Sequence, residues 1–121
     1  MVFSEERLLN QMPRAEFDLL LKEHLAFDDT LRDAGQYLSA QALQPAHTAT
    51  TVRVRNGRMS VTDGPFAETK EHLTGFYLVE ARDLNEAIQL AARVPSARIG
   101  SVEVRPVWEM TEPRQFEPID G

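Results

Sequence analysis

An Asn-Gly pair flanked by alternating residues constrains this chain more than any other feature. Asn56-Gly57 separates Thr50-Thr51-Val52-Arg53-Val54-Arg55 from Arg58-Met59-Ser60-Val61-Thr62-Asp63. The tight hairpin turn that matches strand twist needs positive φ at both central residues, and Asn-Gly meets that need best. Such a turn pairs Arg55 with Arg58, Val54 with Met59, Val52 with Val61 and Thr50 with Asp63. One face then carries Val52, Val54, Met59 and Val61, the other Arg53, Arg55, Arg58 and Ser60. Slipping the register by one would bury arginines, so the pattern itself specifies the pairing. The chain therefore contains antiparallel sheet whose apolar face needs cover.

Carried two residues past Val61, the alternation puts Asp63 on the apolar side. There it opens the run Asp63-Gly64-Pro65-Phe66-Ala67-Glu68-Thr69-Lys70-Glu71. Gly64 allows backbone angles closed to other residues, and Pro65 fixes its own φ and lacks an N–H. An ordinary turn has the same chemistry, with Asp63 bonded to nearby amides. A site at the end of a half-buried strand is the second reading.

Around the hairpin the elements alternate. Pro13 to Ala34 reads as a helix, with Glu16 near its positive end and Gly35 as its stop. Ala34, Phe27, Leu20, Leu31, Phe17, Leu21 and Leu25 fall on one broad apolar arc. Tyr37 to Leu43 reads as a strand. Gly75 to Ala81, apolar on both faces, reads as a central one. Asp83-Leu84-Asn85-Glu86 resembles a capping box, opening a helix with the stripe Leu84, Ala87, Ile88, Ala91 and Ala92 that Pro95 ends. Val102, Val104, Trp108 and Met110 alternate with charged residues in a last strand, where Pro106 marks an edge. Residues 1–111 form one domain, and Glu112 to Gly121 form a tail or an arm laid on a partner. The order predicts an α+β sandwich, with helices on one face of an antiparallel sheet. Tyr77 and Val79 are assigned to the uncovered face, which a second copy would cover.

Composition narrows the function classes. The 121 residues include no cysteine, which removes disulfides, thiolate nucleophiles and Cys-based metal sites. A net charge of -6 argues against a nucleic-acid partner, which selects net positive surface. Acids stand where a signal peptide is basic, and no apolar run reaches membrane-spanning length. A cytoplasmic protein is expected. No Gly-rich phosphate loop, nucleophile elbow or His-x-x-x-His pair is present, so no cofactor or metal is expected. His47 and His72 have no metal-ligand spacing.

The residues best suited to chemistry are His24 and Asp28, four apart on the first long helix and inside its apolar arc. A carboxylate there can orient an imidazole for general acid–base work. The two can equally well just satisfy each other. Asp63 is a further carboxylate. Gly64, Pro65, Phe66, Glu68 and Lys70 read either as a pocket rim or as a solvated loop. Arg53, Arg55 and Arg58 read as a charged outer face or an anion site, and Tyr77 as packing or interface.

The stretch from Arg14 to Met110 resembles the YCII-related proteins, specifically their DGPF subgroup. The resemblance is carried by Glu23-His24-Leu25-Ala26-Phe27-Asp28, by Ala42-Leu43-Gln44-Pro45 and by Thr51 to Gly57. Above all it is carried by Thr62-Asp63-Gly64-Pro65-Phe66-Ala67-Glu68-Thr69-Lys70-Glu71, and it continues through Gly75 to Ala81 and Val102 to Pro106. It implies a ferredoxin-like fold assembled as a dimeric α/β barrel. It also implies a pocket to which a helix histidine and an aspartate contribute. His24 takes the histidine position; Asp63 is the candidate for the aspartate and Asp28 its competitor. By the same resemblance the ligand is a small cyclic or carboxylated molecule, and the chemistry is proton transfer of the isomerase or lyase kind. Some members are encoded beside extracytoplasmic-function sigma factors, so a regulatory or interaction module without catalysis is the alternative. One departure stands out. Family members begin with a full apolar strand, whereas only Met1-Val2-Phe3 precedes the helices here.

Overall fold

Three residues, not a full strand, hold the centre of the sheet. A computed structural model describes residues 1–109. Strand β1 (Val2–Ser4) leads through the short helix α1 (Glu6–Gln11) and the long helix α2 (Arg14–Asp33) to β2 (Tyr37–Ala42). The hairpin β3 (Thr50–Arg55) and β4 (Arg58–Asp63) follows, then β5 (His72–Val79), helix α3 (Leu84–Ala92) and β6 (Gly100–Val102). The main sheet has the order β2-β5-β1-β6, and every neighbouring pair is antiparallel. Two split β-α-β units interleave in this way, which is the ferredoxin-like α+β arrangement. The sheet does not close into a barrel within one chain. Among the described residues, no helix is long and apolar enough to cross a membrane.

Local chemistry explains the element ends. Pro13 stands just before α2 in extended geometry. At the other end Gly35 has φ of 71°, its N–H reaches Arg32 O at 3.0 Å and that of Gln36 reaches Leu31 O at 2.9 Å. These two bonds satisfy carbonyls that the last turn leaves open. Asp83 caps α3 by accepting the Glu86 N–H at 2.8 Å. Glu86 does not return the bond to Asp83; it takes the Arg82 N–H at 3.2 Å and Gln36 Nε2 at 3.1 Å. Gly100 is required for contact, because a Cβ there would run into the Phe3 carbonyl of β1.

The core lies between the sheet and the helices. Val2, Phe27, Leu31, Leu90 and Val94 are buried together, with Tyr37, Tyr77, Val79 and Val102 packed against them. Tyr77 and Val79 thus face the helices, opposite to the expected assignment. The uncovered face instead leaves Leu38, Leu73 and Leu78 exposed. On α3 the inward residue is Leu90, while Leu84 and Ile88 of the expected stripe stay exposed. The helix turns Leu90 into the core, and Val94, just past the helix end, joins it there.

The hairpin has the anticipated pairs, Thr50 with Asp63, Val52 with Val61, Val54 with Met59 and Arg55 with Arg58. Asn56 and Gly57 both have positive φ, 54° and 75°. It forms a separate two-stranded sheet, and its strands are exposed on both faces rather than half-buried. Val52, Val54, Met59 and Val61 are 57 % to 70 % exposed. The last strand is shorter than expected. It pairs only while β1 runs beside it, and the ladder ends where the Glu103 N–H meets the Met1 carbonyl at 2.8 Å. Met110 and the segment from Glu112 to Gly121 lie outside the described residues.

Candidate functional site

Helix α2 supplies the first two polar groups. His24 and Asp28 lie one turn apart, and the same side of the helix buries Leu20, Phe27 and Leu31. Strand β5 adds Tyr77 from the helix-facing side. A 3₁₀ turn over Pro95–Arg98, which follows α3, adds Ser96. Arg98 of that turn pairs with Glu23 of α2 at 2.7 Å, fastening the turn to the helix beside His24.

Both imidazole nitrogens of His24 are engaged. Nδ1 lies 2.8 Å from Tyr77 Oη, and Nε2 lies 2.7 Å from Ser96 Oγ. The His24 and Tyr77 rings are close to parallel, 6.3 Å between centroids, while Phe27 meets Tyr77 edge-on at 5.4 Å. The phenol holds its proton far above the usual phenol range, first through burial, then through the charge of nearby Asp28. One arrangement of protons suits every contact: Tyr77 turns its O–H to the Asp28 side, and its oxygen accepts from His24 Nδ1–H. The lone pair then sits on Nε2, where it accepts the Ser96 hydroxyl proton. The result is a one-directional chain, Ser96 to His24 to Tyr77 to Asp28, in which each group has its proper donor and acceptor role. Asp28 is not fully used by it: its Oδ1 is buried and without a hydrogen-bond partner among the described residues.

Beside this chain a cavity of about 540 Å³ opens, lined by Ser4, His24, Asp28, Tyr77 and Ser96, by the further polar residues Asn10, Gln41, Gln44 and Thr74, and by apolar side chains. Phe17, Leu21 and Leu25 form part of its wall, which accounts for their exposure. The broad apolar arc of α2 is thus divided, one part to the core and one to the cavity. The short helix α1, which the sequence analysis passed over, contributes Glu6 and Leu9. Among the described residues, no group of three or more His, Asp or Glu is gathered to hold a metal.

The structure brings His24 and Asp28 to one cavity. It does not bring Asp63 there: Asp63 ends β4 in an exposed position, and neither it nor Gly64, Pro65, Phe66, Glu68 or Lys70 lines the cavity of the same chain. Gly64 does adopt the left-handed geometry, with φ of 97°, and its N–H closes the hairpin base on Ala49 O at 2.7 Å. Tyr77 and Ser96 are the two site residues that sequence reasoning missed. The alternation of β5 would have found Tyr77 once the helix-facing side was identified by Val79. Ser96 follows a helix-ending proline and carries no comparable signal.

Burial lowers the pKa of His24, with the charges of Asp28 and Glu23 opposing that shift. Folding therefore favours the neutral ring. In the unfolded chain His24 takes up a proton near pH 6.5, in the folded chain only at lower pH. Stability linked to this residue is fully present above pH 6.5 and is lost as the pH falls toward the folded-state value. Wild-type protein is expected to lose Tm relative to His24→Gln between about pH 7 and about pH 5, as read by thermal melts at matched ionic strength. Parallel curves would count against a buried neutral His24.

Comparison with known proteins supplies a family. Residues 4–111 match the YCII-related domain. The chain is also 35% identical over 107 residues to an uncharacterised protein of Rhizobium meliloti (strain 1021), an alignment covering 87% of this chain and 86% of that one. The chain belongs to the YCII-related family.

Proposed function

We propose that this protein binds a small molecule in the cavity beside α2 and moves a proton on it through His24. The carrying observation is the neutral imidazole held between two hydroxyls, Tyr77 and Ser96, on the cavity wall. A ring so held cannot turn away, and its basic nitrogen is shared only with a serine hydroxyl that can shift toward a ligand. Tyr77 and Asp28 act as positioning residues that fix the tautomer, as a carboxylate does for a catalytic histidine elsewhere. Membership of the DGPF subgroup, carried by Thr62 to Glu71, belongs to the same proposal.

A neutral carbon acid with a built-in colour change tests proton abstraction without knowledge of the natural substrate. With 5-nitrobenzisoxazole, a base removes the ring C–H proton, the N–O bond breaks and a coloured cyanophenolate is released. Wild-type protein should accelerate this elimination, and His24→Ala should lose about 10²-fold of the acceleration. Equal rates for the two proteins would remove His24 from the role of base.

The working unit in this proposal is a homodimer. A two-stranded hairpin is marginal on its own in water, yet this one exposes four apolar side chains on one face. The open sheet face adds Leu38, Leu73 and Leu78. Covering both with a second copy is also the way for Asp63 and the loop from Gly64 to Lys70 to reach a cavity, namely the partner's. Light scattering is expected to give a mass near twice the 13.7 kDa chain, and Val54→Asp with Met59→Lys should return it toward one chain. A monomeric wild type would contradict the dimer and leave the hairpin to an unlike protein, the interaction-module reading associated with sigma factors.

A further inference from the structure

Among the described residues, the charged side chains lining the cavity are both acidic, Glu6 and Asp28, with no lysine or arginine beside them. The nearby Arg98 is engaged with Glu23. The two acids differ in how far they are already used. Glu6 Oε1 accepts the Ala46 N–H at 2.7 Å and lies 4.0 Å from His72 Nδ1. Asp28 Oδ1 is buried and accepts nothing from the described residues.

Among the hydroxyl and imidazole groups of the wall, His24 is already bonded to Tyr77 and to Ser96, while the neutral side chains of Asn10, Gln41 and Gln44 also line it. The Thr74 hydroxyl donates to Val2 O at 3.2 Å. An anionic ligand entering here would give up its hydration, find no lysine or arginine of its own chain among the described lining residues and stand near two carboxylates, and the loop that a second copy would bring carries Asp63 and Glu68 along with Lys70. A ligand with an N–H or O–H donor would instead be drawn to the Asp28 carboxylate on the wall.

We infer that the cavity selects a ligand with an apolar body and a hydrogen-bond-donating head group, neutral or cationic, seated against Asp28, and that it rejects carboxylates. This rests on the cavity being a binding site, as proposed above. Of the cyclic or carboxylated ligand expected above it keeps the first and drops the second, and it makes Asp28 the specificity-determining residue. The apolar wall of Leu9, Phe17, Leu20, Leu21 and Leu25 suits a ring system or short hydrocarbon body.

Three probes that share one ring system and differ only in the head group test this. 1-Naphthylmethylamine, 1-naphthylmethanol and 1-naphthoate would each be titrated into the protein, with the ring signals of His24 and Tyr77 followed by NMR. The amine and the alcohol are expected to shift both rings, the amine binding at least about tenfold tighter than the naphthoate, the scale of one charge-assisted hydrogen bond. Asp28→Asn, which keeps the side-chain shape, should collapse the preference for the amine. Naphthoate binding as tightly as the amine, with the same rings shifted, would overturn the ligand class and leave the cavity a binding site. No shift of either ring by any probe at millimolar concentration would overturn the binding function together with this inference.

Discussion

One side of one helix carries both the core and the chemistry. At 3.6 residues per turn, Leu20, Phe27 and Leu31 of α2 reach the interior, and His24 and Asp28 fall between and beside them. The helix cannot dock its leucines without also presenting the imidazole to the sheet. Tyr77 meets it there because β5 points Tyr77 and Val79 inward, and Phe27 holds the phenol from its edge. Ser96 meets it because Val94 is anchored in the same core two residues earlier. The site is therefore assembled by packing, and the hydrogen bonds to His24 follow from it.

Burial of these groups decides their protonation. A desolvated imidazole favours its neutral form, and a desolvated phenol beside a carboxylate keeps its proton. The neutral ring keeps one basic nitrogen, and with the proton on Nδ1 that nitrogen is Nε2, in contact with a serine hydroxyl on the cavity wall. Such an arrangement suits moving a proton more than holding an anion. The absence of lysine and arginine from the lining among the described residues points the same way.

Much of the fold was legible in the residues, and what was not has physical causes. The hairpin register followed from the Asn56-Gly57 turn and the alternation around it, because both are local. The ends of α2 and the Asp83 cap were likewise readable from adjacent residues. The burial of the hairpin was misread, because period shows which face is apolar but not whether anything covers it. The same blindness exchanged the two faces of β5 and rotated the stripe on α3 from Leu90 toward Leu84 and Ile88. That His24 and Asp28 share one helix face was visible at helical spacing, but the ring nitrogens bond to Tyr77 and Ser96 rather than to Asp28. Ser96, 72 residues away in sequence from its partner, belongs to tertiary structure alone, and the six-residue α1 was hidden by its shortness and lack of a side-chain cap.

The account depends on where the protons lie on His24, and the ¹⁵N shifts of its ring nitrogens at neutral pH report this directly. The predicted spectrum shows a neutral ring with Nδ1 protonated and Nε2 carrying the lone pair, and Tyr77→Phe shifts the population toward the other tautomer. A doubly protonated ring, or a proton resting on Nε2 in the wild type and unmoved by Tyr77→Phe, would contradict it.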